Sequence, residues 1–285
     1  MAIIGAAASA LSLDGKQIKV VGGDQDSLWA PVSVAFSGPA LKNNADIILE
    51  DDEGNKFTRS KPSDDYASPK IFVVDAKTDR KYGATLRDGQ LVFVPEKVAA
   101  GSKLVFTVKV EENTGPHAVQ TISKGDSKEV YVAINNQWFT SFFYDEADSK
   151  PYLWPVLSEG GMRVTRDWPL APAGDGTTDH VHQRSIWSAY GDINGHDAWE
   201  EYSEDHALEL VQKVESGSGG AYGWITLKGI WCDAKRKPFI DDHREYRFYD
   251  TPEKTRFFDA EIALTANYGD AQFGEIGRAS CRERV

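Results

Sequence analysis

Short runs in which apolar and polar residues alternate recur along this chain, and turn residues separate them. Alternation with a period of two suits a strand with one face buried, and such runs at sandwich-like spacing leave little room for helices. In the first part the runs are Gln17–Val21, Pro31–Phe36, Ala45–Leu49, Lys70–Val74, Gln90–Val94 and Lys103–Val110. Between them stand Gly22-Gly23-Asp24, Asp52-Glu53-Gly54-Asn55, Arg87-Asp88-Gly89 and Ala100-Gly101-Ser102, whose Gly, Asn and Asp residues favour tight turns. The pattern predicts a small immunoglobulin-like β-sandwich over residues 14–125. No His, Cys or carboxylate cluster at ligand spacing falls in it, so it reads as an accessory module. Asp51-Asp52-Glu53 reads as a charged, solvated turn rather than a calcium site.

Glu112–Asp126, rich in Gly, Ser, Thr and Asn, reads as the boundary to a second region over residues 127–274. There Glu129–Tyr144 reads as two strands turning at Asn135-Asn136, and Met162–Trp168 is expected to be extended. Ala207–Val214, Ala221–Trp231, Arg244–Tyr249 and Arg256–Leu264 read as further strands. The fold class expected is therefore all-β, a small sandwich followed by a larger antiparallel one.

The ends differ from the rest. Residues 1–13, within MAIIGAAASALSLDG, carry the apolar and small residues of a clipped signal peptide, which would place the protein in the periplasm or outside the cell. Glu275–Val285, EIGRASCRERV, resembles the translation of a sequencing adapter and follows the last strand-like alternation. We expect this tail to be foreign and the second sandwich to be incomplete at its C-terminus.

Composition excludes several classes. A net charge of −12 argues against nucleic acid or an anionic membrane as partner. The two cysteines are too few for a disulfide framework or a thiolate zinc site. No window approaches the apolar length of a membrane-spanning helix. Eight Trp and eleven Tyr supply rings that either pack in the core or stack on sugars.

Reactive residues concentrate in Thr178–Glu200, which holds three of the six histidines. In an extended strand His180 and His182 project to one face, which suits either two ligands of a divalent metal or an acid–base pair on one substrate. Asp197 is a candidate base or third metal ligand, and Asp179 a candidate for orienting an imidazole. Arg166 and Arg184 are candidates for holding hydroxyls or a carboxylate in a bidentate fork. Asn194-Gly195 is read as a tight turn with positive φ, Asn194 also being a candidate substrate contact. Trp187 and Trp199 either line a sugar subsite or pack. Glu245, on a predicted strand, is a further candidate acid facing the same cleft.

Four phrases together, KPYLWPVLSEGGMRVTRDWPL, TDHVHQRSIWSAYGDINGHDAWE, HREYRF and FFDAEIALTANYGD, resemble a bacterial family of unknown function labelled methane oxygenase PmoA. The resemblance spans residues 129–274. Gln183 departs from it, standing where the family usually has a third histidine, so a mechanism requiring three histidines there does not carry over. Methane oxidation does not follow either, because the membrane subunit that shares the label needs spanning segments. The resemblance implies a secreted bacterial β protein found among carbohydrate-degradation genes, shaped like the galactose-mutarotase supersandwich. Three functions follow as expectations: acid–base chemistry on a sugar (epimerase or mutarotase, lyase, or hydrolase type), non-catalytic glycan binding, and metal-dependent oxidoreductase or hydrolase chemistry through His180, His182 and Asp197. In the first, a histidine donates the proton, Asp197 or Glu245 is the base, and the partner is a carbohydrate or other small polar substrate.

Overall fold

The structure is a computed structural model that describes residues 13–35, 47–50, 56–59, 69–112, 115–174, 176–201, 206–253 and 255–274. The signal-like start up to residue 12, the turn Asp51-Asp52-Glu53 and the tail 275–285 lie outside the described residues. The N-terminal strands are β1 (Gln17–Val21), β2 (Ser27–Leu28), β3 (Val32–Ala35), β4 (Ile47–Glu50), β5 (Lys56–Arg59), β6 (Lys70–Asp75), β7 (Lys81–Arg87), β8 (Gln90–Phe93), β9 (Lys97–Val98) and β10 (Lys103–Glu111). They are followed by β11 (Val119–Ser123), β12 (Glu129–Ile134), β13 (Gln137–Phe143), β14 (Tyr152–Leu153) and β15 (Ile186–Trp187). The last group is β16 (Leu208–Gly217), β17 (Tyr222–Cys232), β18 (Pro238–Tyr249) and β19 (Phe258–Thr265). The fold is all-β and sandwich-like, and its strands pair antiparallel throughout the described residues.

Six strands form the first sheet, in the order β1-β10-β6-β7-β8-β3. Its buried face carries Ile18, Ile71, Val73, Phe93, Phe106 and Val108, the apolar set of the alternating runs. Strand β7, KYGATLR, is central to this sheet yet escaped the sequence pattern, because Gly83 and Thr85 interrupt its apolar side. Both residues serve contacts to the later strands. A Cβ on Gly83 would lie 2.3 Å from the Gly220 carbonyl oxygen, so only glycine lets the two backbones cross there. Thr85 Oγ1 accepts from the Ala221 and Tyr222 amides (3.0 and 3.1 Å) and donates to the Tyr222 carbonyl (3.0 Å), using its full hydroxyl capacity in a buried place.

The second core lies between two sheets, β11-β12-β13-β14-β15 and β16-β17-β18-β19. Val130, Val132, Phe139, Phe142 and Leu153 of the first pack against Ile225, Leu227, Tyr246 and Phe248 of the second. Each such side chain contributes about 1.5–3 kcal/mol relative to leaving it in water. The hairpin between β12 and β13 turns at Asn135 and Asn136, both at positive φ, as their side chains allow. Two expectations are corrected. Within the stretch read as a boundary, β11 pairs in register with β12 and buries Val119 and Thr121; its VQTIS sequence is half polar, which masked it. Met162–Trp168 forms no strand, only the Leu157–Arg163 bridge and turns.

A third apolar cluster positions the loop that carries the candidate residues. Ile193 and Ala198 pack with Ala207, Trp231, Phe239 and Ile240, which fastens the loop after β15 to the end of the β17–β18 hairpin.

Candidate functional site

His180 and His182 do not sit on an extended strand. His180 has φ 46°, and the Gln183 amide donates to the His180 carbonyl at 3.0 Å, so the pair rides on a turn. The turn nonetheless brings the rings together, with centroids 5.4 Å apart and planes at 85°. His182 is buried at 1 % exposure, whereas the His180 side chain keeps 45 %. The sequence grouped two residues whose rings the fold does bring together, on a turn rather than on a strand.

His182 lies against two tryptophans. Its ring centroid is 6.2 Å from those of Trp187 and Trp199, which are 4.5 Å from each other. Burial holds the His182 imidazole below its ordinary pKa, and the positive charges of Lys150 and His180 add to the effect; Glu201 and Asp197 oppose it. Asp179, beside His180, is held below the usual carboxylate range by its hydrogen bond from Thr177 and by the nearby His180 and Arg166. His180 Nε2 stands 3.9 Å from Asp179 Oδ2.

The tryptophan wall rests on charges that the sequence reading did not weigh. Lys150, buried, donates from Nζ to the carbonyls of Ala198 (3.0 Å) and Trp199 (2.8 Å) and pairs with Glu201 Oε1 at 3.2 Å. The same ammonium sits 4.4 Å from the centre of the Trp187 ring, a cation–π distance. Burial lowers the Lys150 pKa, and Glu201 and Glu209 resist that shift. Arg184 donates to Glu201 Oε2 at 2.9 Å and to the Asp148 carbonyl, so Glu201 joins two cations. Tyr152, whose hydroxyl donates to Asp148 at 3.1 Å, has its pKa raised by burial and by that carboxylate.

Several expected ligand contacts turn out to hold the loop together. Arg166 donates to the Trp168 carbonyl (2.8 Å), Gln183 Oε1 (3.3 Å) and the Asp179 carbonyl (2.7 Å), so it braces the histidine turn. Asn194 and Gly195 both have positive φ; the Asn194 side chain accepts from the Gln272 amide at 2.8 Å, and its own amide donates to the Gln272 carbonyl. Asp197 Oδ1 accepts from the amides of Trp199 (2.7 Å) and Glu200 (3.0 Å), which shapes the turn that presents Trp199. Among the described residues no group of three or more His, Cys, Asp or Glu side chains is placed to hold a metal ion, so His180, His182 and Asp197 do not form such a set.

Glu245 is not brought to the histidines. On β18 the side chains of Asp242, Arg244 and Tyr246 are buried between the sheets, and Glu245, one residue out of phase, points to the opposite face. There it pairs with Arg87 of β7 at 2.9 Å and with Arg247, while Arg87 lies 4.0 Å over the Trp224 ring. Burial works against the Glu245 charge, but the hydrogen bonds from Arg247 and Arg87 outweigh it and hold the carboxyl below its ordinary range. This carboxylate joins the first sheet to the second sandwich.

On the inner face, Arg244 is fully buried and pairs with Glu209 at 2.5 Å and with Asp242, which also accepts from Trp231 Nε1 at 2.8 Å. Complete burial pushes the Glu209 carboxyl up to about 7, against the pull of Arg244. Asp242, Arg244 and Tyr246 at alternate positions were the available signal, but His243, Glu245 and Arg247 make the other parity equally polar. For Lys150 the signal was its place at the head of the phrase KPYLWP.

No curated protein and no solved structure matches this chain. A family profile does match, over residues 129–280, which take in the second sandwich from β12 onwards, without β11, and the whole histidine-bearing loop. With more than half of its length so matched, the chain belongs to the family of unknown function DUF6807.

Proposed function

We propose that this protein is a carbohydrate-active enzyme that binds a sugar or similar small polar substrate over His180 and His182 and performs acid–base chemistry on it. The observation that carries the reading is the imidazole pair itself: rings 5.4 Å apart, one buried against Trp187 and Trp199, the other open to solvent. Burial keeps His182 neutral at pH 7, the state able to take a proton. His180, exposed and beside Asp179, is the group placed to give one. Trp187 and Trp199 offer ring surface for a sugar face, and Lys150, Arg184 and Glu201 keep that surface in place. Asp197 and Glu245 drop out of the acid–base roles, since the first shapes the Trp199 turn and the second is neutralised by arginines.

The likeness of these motifs to PmoA-labelled proteins, with the galactose-mutarotase-like shape that it implies, supports epimerase or mutarotase, lyase and hydrolase chemistry alike; it is fold-level analogy. The small, apolar residues at the start of the chain support a periplasmic or extracellular setting. A screen of mono- and oligosaccharides by proton NMR in deuterated buffer tests the reading, through exchange at sugar carbons or appearance of products. On the substrate so found, His180→Ala and His182→Ala should each lose about 100-fold or more in turnover. Wild-type turnover in both variants would remove the assignment.

A further inference from the structure

Away from the histidines, the structure holds a cavity in two parts that meet at Arg256 and Glu159. The larger part, about 480 Å³, is walled mainly by Phe139, Val156, Leu157 and Phe258. That size falls within the range of small-molecule sites, about 300–1,000 Å³. The smaller part, about 190 Å³, is lined by Asn135, Gln137 and Asp250 among other polar residues. It lies under the β12–β13 hairpin and the connection from β18 to β19, and none of its residues belongs to the histidine site.

Among the described residues, the charged side chains lining this cavity are Arg256, Glu159 and Asp250. Arg256 is already engaged, its Nη2 donating to Gln137 Oε1 at 2.9 Å and its guanidinium centred 5.8 Å from the Phe139 ring. Asp250 accepts from Asn135 Nδ2 at 2.7 Å, an amide rather than a cation. Desolvation raises the Asp250 pKa, with Asn135 and Arg256 only partly opposing it, so a positive charge placed beside this carboxylate would be stabilised. An anionic ligand placed in the polar part would meet the Asp250 carboxylate. A cation would meet Asp250 at one end and aromatic faces along its body.

We infer that this cavity binds a small organic amine, with the ammonium group in the polar part against Asp250 and an apolar or aromatic body in the chamber walled by Phe139 and Phe258. The site would serve as a second, ligand-binding position on the same sandwich, independent of the histidine pair.

Three probes of similar body and different charge test it on the full chain: 2-phenylethylamine, 2-phenylethanol and 3-phenylpropionate, titrated by calorimetry and by ligand-observed NMR at neutral pH. The amine should bind saturably and at least tenfold more tightly than the other two. Asp250→Asn should abolish that preference. Val164→Trp, at a 62 % exposed residue on the rim, should weaken all three probes together by filling the apolar chamber. Equal affinity for the three probes in the wild-type protein would overturn the inference, as would no saturable amine binding. Amine preference that survives in a folded Asp250→Asn variant would overturn it too. The wild-type comparison stands by itself should Asp250→Asn fail to fold.

Discussion

Two buried charge clusters sit in the same sandwich and do opposite work. Around Arg244 the side chains of Glu209 and Asp242 are shut between the sheets, at 2 % exposure or less. Around Lys150 the ammonium is equally buried, but its partner Glu201 and the Arg184 that shares this carboxylate keep 16 % and 11 %, and the cluster ends at His182 and the tryptophans. Closed charges of the first kind fix the spacing of strands and are reachable by nothing. Charges of the second kind hold carbonyls and rings at the edge of the sandwich, beside the half-exposed His180. Composition does not separate the two clusters; what separates them is that strands carry the first while loops carry the second.

The largest effect that tests this difference comes from emptying each centre of its cation. Arg244→Met leaves Glu209 and Asp242 without a counter-charge in the core, and removing one partner of a buried pair costs about 3–5 kcal/mol. Lys150→Met strands two backbone carbonyls but leaves Glu201 paired with Arg184, and should cost about 1–3 kcal/mol. Urea unfolding midpoints measure both. The contrast fails if Lys150→Met proves the more damaging.

The next effect reads the closed cluster through pH. The Glu209 carboxyl rises from 4.5 to about 7 on folding, so between those values the folded state holds a proton that the unfolded state has released. Stability should therefore fall as pH rises from 4.5 to about 7, by at most about 1.4 kcal/mol per pH unit for this one proton. The contribution is complete below 4.5 and lost above about 7. Glu209→Gln should flatten that limb of the stability profile, whereas Lys150→Met, which removes only the smallest of the charges acting on Glu209, should keep it. An unchanged slope in Glu209→Gln would assign the proton elsewhere.

The sequence made one of these regions far easier to read than the other. Period-two alternation located β1, β6, β8, β10, β12 and β17 because each buries an apolar face, and the Asn135-Asn136 turn then placed β13. It failed at β7 and β11, where Gly83, Thr85 and Thr121 hold polar or small places required by contacts with other sheets. In the loop, residue types alone grouped His180, His182, Trp187 and Trp199, and the fold does bring their rings near one another. Their conformation was not legible, because a turn at positive φ and a strand can bring the same two rings close. Glu245 illustrates the remaining gap. Parity gave it a face, yet only the docking of the first sheet decides that Arg87 waits on that face.

The smallest effect probes how the open cluster acts on the site. Lys150 is one of the positive charges that depress the His182 pKa, after burial and ahead of His180. Lys150→Met removes the charge and leaves the burial, so the His182 titration midpoint should move up while staying below the ordinary histidine value. The ring-proton shift of His182, followed by NMR across acidic and neutral pH, reports it directly. Because a depressed histidine adds stability above its unfolded pKa and loses it as pH falls, the same variant should also be slightly less acid-sensitive at this residue. Arg244→Met should leave the midpoint nearly unmoved, since Arg244 is not among the charges that set it. A His182 midpoint that follows Arg244 rather than Lys150 would mean that the two clusters act as one network, and the division between structural and functional charge would have to be given up.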